Sequence, residues 1–278
     1  MRVPKLSIAL LVLSLGYLQP VTTWAEQDMV WTSAPLLLPA AVKGADRRTQ
    51  SLVQPVNLTT TQVMVFPPIG GGKPSEPWAA EAQAVDTFSI KGKGIGNYHW
   101  LASSSEDGKS LASSVYYFSN PGAAPRELLQ QNMATLAVKP LALPREHNQY
   151  RANETWQFQT TLQGKPLSNA SVRFETSNGT NQTLTTDAQG QVVLTFPDDF
   201  KTIKDAHQQH GGGHGGHGGH GMNTAQFVVS VEHEGITSAF NYKYAPDAFT
   251  NKAVLPALGF ALGGMLLASP LLWRRKKA

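Results

Sequence analysis

The chain has no cysteine among its 278 residues. That rules out disulfide staples, thiolate metal sites, a cysteine nucleophile and the acylated cysteine of a bacterial lipoprotein. Charge is sparse, with Asp, Glu, Lys and Arg making up 15% of residues. Long helical periodicity is also missing: the only fair candidate is residues 125–133, about two turns. The signatures of common catalytic sites are missing too. There is no G-x-S-x-G elbow, no H-E-x-x-H and no phosphate-cradling G-K-S/T loop. Lys91-Gly92-Lys93-Gly94-Ile95-Gly96 lacks the following helix that a phosphate loop needs, and reads as a strand connection. No enzyme class is predicted.

What is present begins at the two ends. Arg2 and Lys5 precede an apolar run over residues 6–18, Pro20 breaks it, and Thr23-Trp24-Ala25 offers small residues for cleavage. This is the pattern of a secretory signal peptide over residues 1–25. Residues 253–273 contain no charged side chain and are followed at once by Arg274, Arg275, Lys276 and Lys277. At about 1.5 Å per residue such a run spans roughly 30 Å, the hydrocarbon thickness of a bilayer. It is read as a single transmembrane helix, with Trp273 at the interface and the basic tail, residues 274–278, on the cytoplasmic side. The predicted location is therefore a bacterial inner membrane, with the bulk of the chain in the periplasm.

The formal charge of +4 misleads. Of 23 Lys and Arg, two lie in the signal and four in the tail, while all 19 Asp and Glu lie between, so the exported part carries −2. Nucleic acid is not an expected partner.

Between the ends, strand signals dominate. Residues 63–66, 88–91, 98–103, 115–119 and 135–139 read as strands in the first half. Residues 156–159, 170–175, 183–186, 192–196, 227–231 and 236–244 do so in the second, with turns at Asp187-Ala188-Gln189-Gly190 and Glu234-Gly235. The expected fold is all-β: two immunoglobulin-like or prealbumin-like β-sandwich modules, residues 26–145 and 146–246, plus the C-terminal helix. Five Asn-x-Ser/Thr triplets, at Asn57, Asn153, Asn169, Asn178 and Asn181, are read mostly as turn and strand-surface composition.

The strand pattern stops between Phe200 and Phe227. There His207, His210, His214, His217 and His220, five of the chain's eight histidines, are separated by glycines, so that residues 207–222 form a His/Gly-rich loop. Neutral imidazole suits nickel, cobalt, copper and zinc ions. Glycine lets successive imidazoles turn onto one ion, but ordering the chain costs about 1–2 kcal/mol per residue, so a loose collecting site is expected rather than a tight cage. Met222 adds a soft thioether. Asp198, Asp199 and Asp205 could supply oxygen ligands, although a turn role suits Asp198 and Asp199 better. His99, His147 and His233 are read as structural, junction and surface-turn residues.

Tyr98-His99-Trp100, Asp107-Gly108-Lys109, Tyr116-Tyr117-Phe118-Ser119, Thr155-Trp156-Gln157-Phe158, Gly164-Lys165-Pro166-Leu167, Ala170-Ser171-Val172 and Thr186-Asp187-Ala188-Gln189-Gly190 together carry a resemblance. Over roughly residues 60–245 the chain resembles a bacterial family of membrane-anchored periplasmic proteins of unassigned function. These are paired immunoglobulin-like or transthyretin-like sandwiches, some encoded with nickel or cobalt uptake systems. The resemblance implies a metal-transport permease as partner. The alternative expectation is a structural or adhesive sandwich module in which the His segment is a spacer.

Overall fold

The computed structural model describes residues 31–40, 50–68, 76–84, 86–91, 97–118, 125–144, 149–200 and 224–247. They form an all-β protein with one short helix. The strands are β1 (Leu36–Ala40), β2 (Gln50–Val56), β3 (Met64–Phe66), β4 (Trp78–Ala79), β5 (Glu81–Ala84), β6 (Thr87–Lys91), β7 (Tyr98–Ser104), β8 (Ser110–Tyr117) and β9 (Leu136–Pro140). They continue as β10 (Tyr150–Arg151), β11 (Thr155–Leu162), β12 (Lys165–Pro166), β13 (Ser171–Thr176), β14 (Asn181–Thr185), β15 (Gln191–Thr195), β16 (Ala225–His233) and β17 (Ile236–Ala245), with α1 (Arg126–Gln130) before β9.

Three sheets result. A central one runs β14-β13-β16-β17-β8-β7-β3-β4, with β10 also paired to β17. One outer sheet is β1-β2-β6-β5; the other joins β12, β11 and β15, with β9 on β11. Alternation along β7 shows how they stack. Tyr98 and Trp100 join the main core with Phe158, Val192 and Leu194 of the β11 sheet. Leu101, on the opposite face, joins a second core with Leu37, Val53, Phe88 and Ile90 of the β1 sheet. Because side chains alternate faces in a strand, the central sheet is covered on both sides at β7. The same holds at β17, where Phe240, Tyr242 and Tyr244 face the main core while Ala239 packs with Leu36.

Double coverage explains why Phe227-Val228-Val229 runs apolar without alternation: Phe227 and Val229 lie in one core and Val228 in another. The expected boundary near residue 145 falls between β9 and β10. Ladders run across that position: β9 pairs antiparallel with β11, and β8 pairs in parallel with β17 through Thr237↔Ser110 to Phe240↔Ser113.

All six strands predicted in the second half are present, with ends shifted by at most three residues. The first half differs more. Strands β1 and β2 were not expected, because Leu36-Leu37-Leu38-Pro39 does not alternate and each strand contains a proline. The prolines are tolerated because β1 is an edge strand and Pro55 lies beyond the Gln50–Val53 stretch that pairs with β6. Strand β8 starts at Ser110, not 115, because its serines are bonded to the neighbouring strand: Ser113 and Ser114 hydroxyls donate to the Ala239 and Asn241 carbonyls at 2.9 and 2.8 Å. Helix α1 is shorter than residues 125–133, since Gln131 turns to extended backbone. Of the asparagines in Asn-x-Ser/Thr triplets, Asn57, Asn153 and Asn169 have positive φ, which matches their reading as turn residues.

The Asp187-Gly190 turn is built as its sequence predicts. The Asp187 carboxylate accepts from the Gln189 and Gln191 amides at 2.9 and 2.8 Å, and Gly190 has φ +69°. A Cβ on Gly190 would stand 2.6 Å from the Thr160 carbonyl oxygen and 2.8 Å from the Leu167 nitrogen, whereas one on Gly108, at φ +71°, would meet nothing within 4 Å. Gly108→Ala is expected to cost about 1–2 kcal/mol from backbone conformation alone. Gly190→Ala should cost clearly more, because backbone must move. Urea denaturation of both variants checks the difference, and equal losses would refute the packing argument.

Candidate functional site

His207, His210, His214, His217, His220, Met222 and Asp205 lie outside the described residues, as do His147 and residues 253–273. Among the described residues there is no group of three or more His, Cys, Asp or Glu able to hold a metal, and no helix long and apolar enough to cross a membrane. What the structure does give is the frame from which the His segment leaves and to which it returns.

That frame centres on Tyr244. Phe200, the last described residue before the segment, is buried with its ring 4.9 Å from the Tyr244 ring. Ala225, at the start of β16, lies opposite Tyr244 in the β16–β17 register. On its other side Tyr244 pairs with Tyr150 of β10. The Tyr244 hydroxyl donates to Asp199 at 2.6 Å. Both flanks of the segment are thus held at one end of the main core. β17 ends one residue later, at Ala245, so the chain toward residues 253–273 leaves from the same end.

Asp199 is the lock on this frame. Its carboxylate accepts from Tyr244, from the Thr176 and Thr180 hydroxyls at 2.8 Å each, and from the Asn178 amide at 3.1 Å. Burial alone would raise its pKa, but the donors from Tyr244, Asn178, Thr180 and Thr176 together hold it below the usual aspartate value. Four donors occupy its lone pairs, so Asp199 is an anchor rather than a free ligand, in line with the turn role expected from sequence. Burial, and the charge on Asp199 that its proton would leave it facing, push the Tyr244 hydroxyl well above the ordinary tyrosine range. It stays a donor at any physiological pH.

The remaining described histidines have separate roles. His233 stands in the β16–β17 hairpin with its Nε2 3.8 Å from a Glu234 carboxylate oxygen. His99 is wholly buried between Trp78 and Phe118, whose rings lie edge-on at 5.8 and 4.8 Å. Neither of its ring nitrogens makes a hydrogen bond. Burial pushes its pKa down to about 4, and the nearby Asn97 backbone offsets only a little of this. It belongs to the core, as its strand context predicted.

These two residues have opposite tests. A neutral His99 favours the fold above the unfolded pKa of about 6.5, and this contribution falls away as pH drops from about 6.5 to about 4, a loss on the order of 3 kcal/mol. In the full chain in detergent, His99→Leu should remove that part of the acid slope in denaturation curves between pH 4 and 7; an unchanged slope would show that His99 is not its source. Asp199→Asn should cost about 1–3 kcal/mol, because the charged acceptor for four donors is lost. Whatever Ni(II) the unaltered chain binds in a calorimetric titration, that variant should bind equally below its melting temperature. A lost or weakened metal signal would make Asp199 a ligand.

No family model and no curated protein matches this chain. Among solved structures it is similar to a tetra-tandem repeat from the extending region of a large adhesion protein, with 14% identity over 77% of this chain and 49% of that one, at a TM-score of 0.24. It is also similar to a Ca2+-stabilized adhesin with which an Antarctic bacterium binds ice (12% identity, 77% of this chain, 49% of that one, TM-score 0.23). A third is the chicken CNTN1 FN1–FN3 segment, at 11% identity over 76% of this chain and 68% of that one, with a TM-score of 0.20. The chain spans about half the length of the two adhesin chains.

Proposed function

We propose that this chain is an exported, membrane-anchored accessory protein that collects a transition-metal ion and raises its concentration beside a metal-transport permease. The ligands are His207, His210, His214, His217 and His220, and the cargo is nickel, cobalt, copper or zinc. One observation carries the reading. Phe200 and Ala225, the flanks of the His segment, and Ala245, the start of the path to the apolar run, are gathered around Tyr244 at one end of the main core. A ligand-rich segment rooted at that end works at the membrane surface, within reach of a permease in the same bilayer. The resemblance to families encoded with nickel or cobalt uptake systems supports the same partner. Imidazole must be neutral to bind, so uptake should fade as pH falls below about 6.5.

A second reading is supported by the layered all-β build. On it the protein is a structural or adhesive module, and the His segment is a spacer.

One pair of measurements separates them. The full chain in detergent is titrated with Ni(II), Cu(II) and Zn(II) by calorimetry beside a variant with all five histidines changed to alanine. Metal accumulation is then measured in cells lacking only residues 211–221. The metal reading expects at least tenfold weaker binding by the variant and reduced accumulation in the deletion strain. Equal titrations, or unchanged accumulation, would leave the adhesive reading standing.

A further inference from the structure

Away from the His segment, a cleft of about 890 Å³ opens between α1, β9, β11 and the start of β7. Its volume is that of a small-molecule site. Its charge is one-sided among the described residues: Arg126 and Lys139 line it, and no described carboxylate does. Lys139 is half-buried in β9, and among the described residues its ammonium makes one hydrogen bond, to the Gln131 carbonyl at 3.3 Å. Neither cation has an ion-pair partner among the described residues, in contrast to Lys91, which pairs with Glu81 at 2.6 Å. Burial lowers the Lys139 pKa, the expected response of an ammonium short of both water and a counter-ion.

The rest of the lining is equally specific. Asn97, Asn132 and Gln159 contribute amides and Thr161 a hydroxyl; Gln159 already donates to the Gln189 carbonyl at 3.2 Å and Asn97 already accepts from the Tyr98 amide at 3.1 Å, and further donors and acceptors remain on all four. Leu129 and Leu141 add apolar wall, and Leu141 is one of two large apolar side chains left exposed among the described residues. Tyr98 also lines the cleft, but its hydroxyl is already used, donating to the Pro144 carbonyl at 2.5 Å. That bond holds the 141–144 wall in place. The walls are framework, built on two sheets and a helix whose Leu128 and Leu129 are buried in the main core.

We propose that this cleft binds an acidic sugar. Its carboxylate sits between Lys139 and Arg126, its hydroxyls exchange hydrogen bonds with the amides and Thr161, and its C–H faces lie on Leu129 and Leu141. A carboxylate supplies the charge the two cations lack. A polyhydroxylated body suits amides that donate and accept at once, which a hydrocarbon acid would leave unsatisfied. The site is independent of the His segment and of any metal.

The probe is tri-galacturonate, with neutral galactotriose and citrate as controls, titrated into the full chain in a neutral detergent and followed by calorimetry. Lys139→Met keeps the aliphatic stem and removes the charge; Arg126→Gln changes an exposed residue. The expected result is binding of tri-galacturonate at least tenfold tighter than of galactotriose or citrate, weakened at least tenfold by either variant at unchanged melting temperature. Should Lys139→Met fail to fold, Arg126→Gln and the loss of affinity between 50 and 300 mM NaCl carry the test. No binding of tri-galacturonate, equal binding of the neutral trimer, tighter binding of citrate, or binding indifferent to charge removal and salt would each overturn the proposal. Unaltered Ni(II) titration in both variants is expected, so failure here is distinguishable from failure of the metal reading.

Discussion

The parallel ladder between β8 and β17 is the contact on which the architecture depends. Without it, the β7–β8 hairpin with β3 and β4 would be one sheet and β13–β14–β16–β17 another, each with an open edge. With it they are one sheet. A parallel join between strands so far apart in sequence carries a large closure cost and only a short register of pairs. Side chains reinforce it: Ser113 and Ser114 hydroxyls reach carbonyls of β17. Asn241 then clasps the next layer, accepting from the Leu37 amide at 2.8 Å and donating to the Leu37 carbonyl at 2.9 Å, as a strand would. Buried Asn241 could not remain unpaired, so β1 is fixed in position as well as packed.

The same strand organises the end of the core that holds both flanks of the His segment. β17 has β16 along one edge and β8 and β10 along the other, and its last aromatic, Tyr244, touches both flanks of the His segment. Rooting two flanks on one buried side chain and one carboxylate means that the body of the protein meets the cost of bringing them together. It also separates labour between residues: Asp199 holds the frame with all its acceptor capacity, leaving coordination in the proposed mechanism to the imidazoles.

The strands of the second half were legible because their inward and outward residues alternate between turns of known chemistry, as in Val172 and Phe174 against the Asp187-Gly190 turn. Those of the first half were harder to read. Serine in β8 and proline in β1 and β2 argue locally against strands, and only the partner strand supplies the hydroxyl acceptors or spares the missing N–H. The Lys139 cleft had no sequence signal. In β9 a lysine between apolar residues reads as a solvent-facing position, and what matters is that no acid among the described residues stands opposite.

The sequence by itself determined the all-β class, most strand positions, the tight turns and the ligand-rich character of residues 207–222. All of these are written in local composition and period. Only the tertiary structure decided that both faces of the central sheet are covered, that the flanks of the His segment converge on Tyr244 and Asp199, and that two cations share a cleft with no counter-ion among the described residues. Each of those depends on groups far apart in the chain being brought within a few ångströms, and the pairing of distant strands, not any local preference, sets such distances.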